Sequence, residues 1–192
     1  MQNLNKPVVF TGSQEQKTSK HQGLKANLIN AVQVASFDFA DTCLMFGNRL
    51  LRANQAIPSK DESFNIFAAP QEGILGRIDF SIRIFEKLTL KTKGKLKAYN
   101  NLNSNIEVIY IRPFINLKSL AKNIASRDGI IVNASAYQDL PEDLLTLFEK
   151  IKKDKPVVIW SKALQVPVLG PKNTIMINNM TLPATITKFM WA

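Results

Sequence analysis

Short runs of β-branched and aliphatic residues alternate along this chain with segments of helical periodicity, and that alternation is its most restrictive feature. It is the pattern of an α/β fold built on largely parallel sheets, because a parallel strand pair needs a crossover that is usually a helix. Pro7-Val8-Val9-Phe10 reads as a short buried strand stopping at Thr11-Gly12-Ser13. From Leu24 to Phe37, Leu24, Leu28, Ala31, Val32 and Ala35 recur at helical spacing, which predicts an amphipathic helix. Residues 42–47 (TCLMFG) read as a second strand, Gln71-Glu72-Gly73 as a turn, and Ile74 to Ile84 as an extended, partly alternating stretch.

The pattern breaks at Lys91–Asn105, which holds four Lys, four Asn and one Gly with almost no apolar periodicity. It reads as a linker between a first unit, residues 1–90, and a second, residues 106–192. In the second, IEVIYI (106–111), GIIV (129–132) and VVIW (157–160) read as strands. Leu117–Ala125, the segment opened by Pro141 with Glu142 and Asp143, and Thr181–Trp191 read as helices. The expected order is β-α-β-α-β with a closing helix, and no internal repeat is evident.

Composition excludes several function classes. With 45% hydrophobic residues and 21% charged, the chain can bury a core rather than remain disordered. No apolar run approaches the roughly 18 residues of a membrane span, and the polar start MQNLNK has no signal-peptide stretch. The expectation is a cytoplasmic protein without a membrane role. A single cysteine, Cys43, precludes an intramolecular disulfide, and with a single histidine, His21, no multi-histidine or cysteine metal site can be assembled. Inside a strand, Cys43 reads as a buried, inert thiol; Trp160 and Trp191 read as core. The net charge is +10, but the basic residues are scattered, and the two denser lysine stretches (87–97 and 150–155) lack interleaved aromatics. They read as solvated surface, not as a nucleic-acid platform. No phosphate-cradling motif is present. Thr11-Gly12-Ser13 lies where α/β ligand sites form, at the carboxyl end of a strand.

Taken in order, the segments resemble the asparaginase/glutaminase amidohydrolases, most nearly the bacterial cytoplasmic asparaginases. Lys6–Gln14 (KPVVFTGSQ) is similar to that family's KPVV-TGSQ strand and turn, and Asn27–Ala31 to its NLLNA helix. Arg52-Ala53-Asn54 followed by Phe64 and Phe67-Ala68-Ala69-Pro70 resembles RGN…F…FASP, and residues 74–78 (ILGRI) resemble the segment closing the first domain. GIIVNASAYQDLPEDLL, KPVVIWS and the string from Met180 to Trp191 resemble three successive pieces of the smaller domain. The resemblance implies a partial Rossmann- or flavodoxin-like first unit, a smaller flavodoxin-like second unit, no cofactor, and an oligomer. It also implies a small amide amino acid as ligand, with Thr11, Gly12, Ser13, Gln14 and Asp139 as candidate binding residues.

The departures from the family pattern are as informative. The family hydrolyses amides with a threonine in a TGGT turn and a Thr-Asp pair in HGTDT, assisted by a lysine. Neither string occurs in the 192 residues, whose opening matches the segment downstream of HGTDT. Counted without gaps between the Arg52/Asn54 and Phe64/Phe67/Pro70 anchors, the lysine position falls on Pro58. Lys60 is a weak substitute, displaced by about 6.5 Å along an extended strand. Gly23 and Gln16 stand where an aspartate and a proline are expected, and the G-x-G-N-x-P loop is replaced by Ala136-Tyr137-Gln138-Asp139-Leu140-Pro141. Residues 163–180 are shorter than the family's, and Asn179 and Pro183 replace two acids near the end. Three readings follow: a degenerate, catalytically inactive asparaginase-like protein; the C-terminal part of a split enzyme whose missing half is another chain; or a non-enzymatic binding or regulatory module.

Overall fold

A computed structural model describes residues 2–13, 22–59, 65–86, 93–134, 140–150, 155–161 and 174–192. The chain divides into two compact units, Met1–Tyr99 and Asn100–Ala192. The boundary lies inside the lysine- and asparagine-rich stretch. Its described first part turns back on the start of the chain, where Gln2 and Lys97 exchange backbone hydrogen bonds of 2.8 and 3.0 Å. Tyr99 Oη adds a 3.1 Å bond to Gln2 Oε1.

The first unit is one five-stranded sheet in the order β1 (Val8–Phe10), β2 (Thr42–Phe46), β3 (Arg49–Arg52), β6 (Ile74–Ile78), β7 (Ile82–Ile84). Between them in sequence, β4 (Ile57–Pro58) and β5 (Phe67–Ala68) form a separate two-stranded ribbon. Only β1 and β2 run parallel, linked by helix α1 (Gln22–Ala35); β3, β6 and β7 add as an antiparallel meander. The largely parallel sheet expected of this unit is therefore mixed. The cause is local. β2 and β3 are separated by only Gly47-Asn48, a two-residue hairpin with Gly47 at φ 61°, and so short a connection can join only antiparallel neighbours. Likewise Ile74 to Ile84 is not one strand but a hairpin, turned at Asp79-Phe80-Ser81.

One face of this sheet packs on α1, burying Ala31, Val34, Phe39, Cys43, Met45, Leu50 and Leu75 in a common core. The helix expected over 24–37 is present, but it is rotated from the face its apolar stripe predicts. Asn27, Ala31 and Val34 point inward, whereas Leu24, Leu28 and Val32 are 40%, 53% and 64% exposed. A buried asparagine with two hydrogen bonds to satisfy fixes the rotation, as described below.

The second unit is a four-stranded, wholly parallel sheet in the order β11 (Thr174–Ile177), β10 (Val157–Trp160), β9 (Gly129–Asn133), β8 (Ile106–Tyr110). It has one strand more than the sequence predicts, the edge strand β11. Helices α2 (Leu117–Ala125) and α3 (Glu142–Glu149) share one face, where Leu120, Ile124, Leu144 and Phe148 pack on Ile130, Val132, Val157 and Ile159. Helix α4 (Leu182–Trp191) covers the other: Phe189 lies so close to Gly129 that a Cβ there would sit 2.6 Å from the ring. Ile131 and Val158 alternate onto that second face, so these strands are buried on both sides, as parallel strands generally are.

The helix ends are satisfied by specific partners. Asn116 Oδ1 accepts from Ser119 N–H at 3.0 Å at the start of α2. Lys155 Nζ donates to the carbonyls of Ile124 and Ala125 (2.8 and 3.1 Å) at its end, where a cation also favours the helix dipole. Thr181 caps α4. Trp160 is half-buried, its Nε1 donating to Met180 O at 2.8 Å; Trp191 is half-buried as well. None of the described helices is long and apolar enough to cross a membrane.

Candidate functional site

The turn after β1 is held from two directions. Thr11 Oγ1 donates to Met45 O at 2.9 Å, which ties the turn to the neighbouring strand β2. Asn27, on the inward face of α1 and 3% exposed, donates from Nδ2 to Gly12 O at 2.9 Å and accepts Gly47 N–H on Oδ1 at 3.1 Å. One amide thus clamps the β1 turn to the β2–β3 hairpin, with both of its ends engaged. Gly12 and Thr11 are half-buried and Ser13 is exposed. A Cβ at Gly12 would meet nothing within 4 Å, so the turn borders open space.

A second arrangement lies at the opposite end of β2. Asp41, 9% exposed, accepts Thr42 N–H on Oδ1 (2.8 Å) and Arg52 Nε on Oδ2 (2.9 Å). Arg52 reaches Glu72 O at 3.4 Å with a terminal guanidinium nitrogen. Its own carbonyl accepts from Gln55 and Ala56 N–H (3.0 and 3.1 Å), turning the chain from β3 into β4. Gln55 is buried against Gly73, where a Cβ would come within 2.5 Å of its Oε1. The ribbon that follows pairs Ile57 with Ala68 and Pro58 with Phe67, and Ser59 N–H extends the ladder to Ile66 O at 2.8 Å. Phe67 meets Phe46 edge to face at 5.3 Å, which seats the ribbon against the end of β2.

Pro58 is exposed in this ribbon and offers no ionisable group. Of the other candidate residues, Thr11, Gly12 and Ser13 lie together at the β1 turn. Gln14, Lys60 and Asp139 lie outside the described residues, as does His21. Cys43 is fully buried, and desolvation, reinforced by the Asp41 carboxylate, pushes its thiol up to about 12. It is protonated at neutral pH and is no nucleophile. The Thr11 hydroxyl donates to a carbonyl, not to a base, so none of the described groups at the turn activates it. The described groups around the turn do not assemble a nucleophile and a base.

Sequence reasoning singled out Asn27 and Arg52 only as parts of matching strings. Their partners, Gly12, Gly47 and Asp41, are 11–20 positions away and no spacing rule reveals them.

Residues 1–90 match the N-terminal asparaginase domain. Among curated proteins, L-asparaginase 1 of Escherichia coli K12 is 37% identical over 71 residues, covering 36% of this chain and 21% of its own length. The L-asparaginase of Dirofilaria immitis is 20% identical over 157 residues, 80% of this chain and 27% of its own. The crystal structure of L-asparaginase I from Vibrio cholerae superposes with a TM-score of 0.73 at 24% identity, covering 99% of this chain and 62% of that one. The chain thus spans less than two thirds of each of these relatives. It shares their α/β fold, and its residues 1–90 are similar to the N-terminal domain of the asparaginases.

Proposed function

We propose that these residues form an asparaginase-type scaffold that does not itself hydrolyse asparagine or glutamine. Pro58 carries the reading: at the position matched to the family lysine, the chain has a residue that can neither hold nor move a proton. Lys60 would have to act from about 6.5 Å further along an extended strand, and near-attack geometry is lost by displacements of about 1 Å. The buried, protonated Cys43 and the unactivated Thr11 supply no substitute nucleophile. The scaffold retains a place for a small amide amino acid at the Thr11–Ser13 turn, and we place it in the cytoplasm as an oligomer. Ammonia release by the purified chain, supplied with L-asparagine or L-glutamine, tests the reading. Only the buffer rate is expected, and turnover of about 1 s⁻¹ or more, within the ordinary enzymatic range, would overturn it.

The uncovered side of the first unit favours a second reading. Leu24, Leu28, Ile29 and Val32 of α1 stand exposed, as does Phe10 on β1, an edge strand of its sheet. Apolar helix faces and strand edges left this way recruit further chain. In this reading another polypeptide covers them and brings the TGGT and HGTDT strings. A neighbouring reading frame encoding both, whose product releases ammonia when mixed with this chain, is the result it requires. Without such a frame it falls.

A further inference from the structure

The antiparallel register of the first sheet makes a row that the sequence hides. Arg49 of β3 lies directly opposite Arg77 of β6, and Arg77 directly opposite Arg83 of β7. Residues paired across adjacent strands project from the same face, and strands lie about 4.8 Å apart, so three guanidinium side chains leave one face at regular steps. The core-forming Leu50 alternates to the other face, against α1. Like charges set directly opposite one another destabilise a sheet. Among the described residues, the one ion pair in the row joins Arg83 to Asp79, across the turn of the β6–β7 hairpin. Among the described residues, these three fixed cations share that one carboxylate. At the tip of that hairpin, next to Asp79, Phe80 is fully exposed.

We propose that Arg49, Arg77 and Arg83 form a binding site for a polyphosphate, either free or carried on a nucleotide. Guanidinium groups are permanently charged and present a planar fork that matches phosphate oxygens two at a time. A row of forks suits a ligand with several adjoining anionic groups better than a single carboxylate, which engages one of them. The ligand offsets the repulsion among the three arginines, as Asp79 does for Arg83 alone. A nucleotide would add stacking of its base on Phe80.

Titration calorimetry of the whole chain with tripolyphosphate, ATP and orthophosphate tests the site. Tripolyphosphate and ATP should bind, and orthophosphate about tenfold more weakly or not at all. Arg77→Gln should weaken tripolyphosphate about tenfold or more, and Arg77→Lys, which keeps the charge but loses the fork, by an intermediate factor. A triple variant in the second unit with three times the charge loss of Arg77→Gln, Lys118→Gln/Lys122→Gln/Lys188→Gln, should stay within about threefold of the parent. Absence of binding by the parent chain, or an equal loss in the lysine triple variant, overturns the proposal. Phe80→Ala separates the two sources: a weakening for ATP alone identifies a nucleotide, and no change for either ligand identifies free polyphosphate. Arg49→Gln/Arg77→Gln/Arg83→Gln should melt no lower than the parent, because it relieves the opposed charges; a lower melting temperature would show that the row serves the fold instead.

Discussion

Replacing Asn27 by alanine should open the first unit. The substitution leaves the buried Gly47 N–H without an acceptor and removes the donor from Gly12 O, which can turn to water instead. An orphaned buried donor costs about 1–3 kcal/mol and the second bond about 1 kcal/mol, while alanine returns about 0.5 kcal/mol of helix propensity. The net loss is about 2–3 kcal/mol. Cys43 provides a local readout, being the single cysteine of the chain and fully buried in the same core as α1. Its thiol is held protonated until about pH 12, so a thiol reagent at neutral pH reaches it only when this unit opens. With reclosing faster than labelling, the rate follows the open population, and a loss of about 2–3 kcal/mol raises it about 30- to 150-fold. Asn27→Asp keeps the acceptor for Gly47 but turns a carboxylate toward the Gly12 carbonyl, and should also accelerate labelling. A change below about threefold in Asn27→Ala, less than about 0.7 kcal/mol, would show that the amide is not the clamp described above.

Two further outcomes follow from the same unit. Gly73→Ala should lower its urea midpoint by an amount equivalent to about 1–3 kcal/mol, because the new Cβ would meet Gln55 Oε1 at 2.5 Å and Ala69 Cβ at 3.0 Å. Gly12→Ala, facing open space, should stay within about 0.5 kcal/mol. The Cys43 thiol also predicts an alkaline limit. Its pKa in the folded chain, about 12, exceeds the value of 9.0 it takes when exposed, so the unfolded state loses its proton first. This stabilisation is complete below pH 9 and is lost as pH rises toward 12, with a slope of up to about 1.4 kcal/mol per pH unit. Urea melts of the parent and Cys43→Ala between pH 8 and 11 should diverge in slope by up to that amount; parallel pH dependences would refute it.

The strands buried on both faces were legible because runs such as GIIV and VVIW have no other use for so many β-branched residues. β3, the two ribbon strands β4 and β5, and β11 were not. RLLR (49–52) offers only two apolar residues between charges, and its signal lay outside it, in the two-residue Gly47-Asn48 spacing that marks a hairpin. TIMI (174–177) is a short edge strand, half exposed, whose pattern is too brief to separate from loop. The rotation of α1 was invisible because one buried amide outweighs three leucine and valine side chains left in water. At the candidate site, the β1 turn and Pro58 were found from matched strings, whereas the Asn27 clamp, the Asp41–Arg52 pair and the arginine row depend on register and tertiary approach.

Both units are fastened where they begin and end. In the first, Gln2 is bonded to Lys97; in the second, Asn103 N–H donates to Met190 O at 2.7 Å, and Asn103 Nδ2 to Asp128. Each unit is thus a loop of chain buckled at its own neck, and the single peptide link between Tyr99 and Asn100 belongs to neither buckle. A flexible insert at that link should leave both folds intact, and either unit should tolerate new termini elsewhere once its old ones are joined.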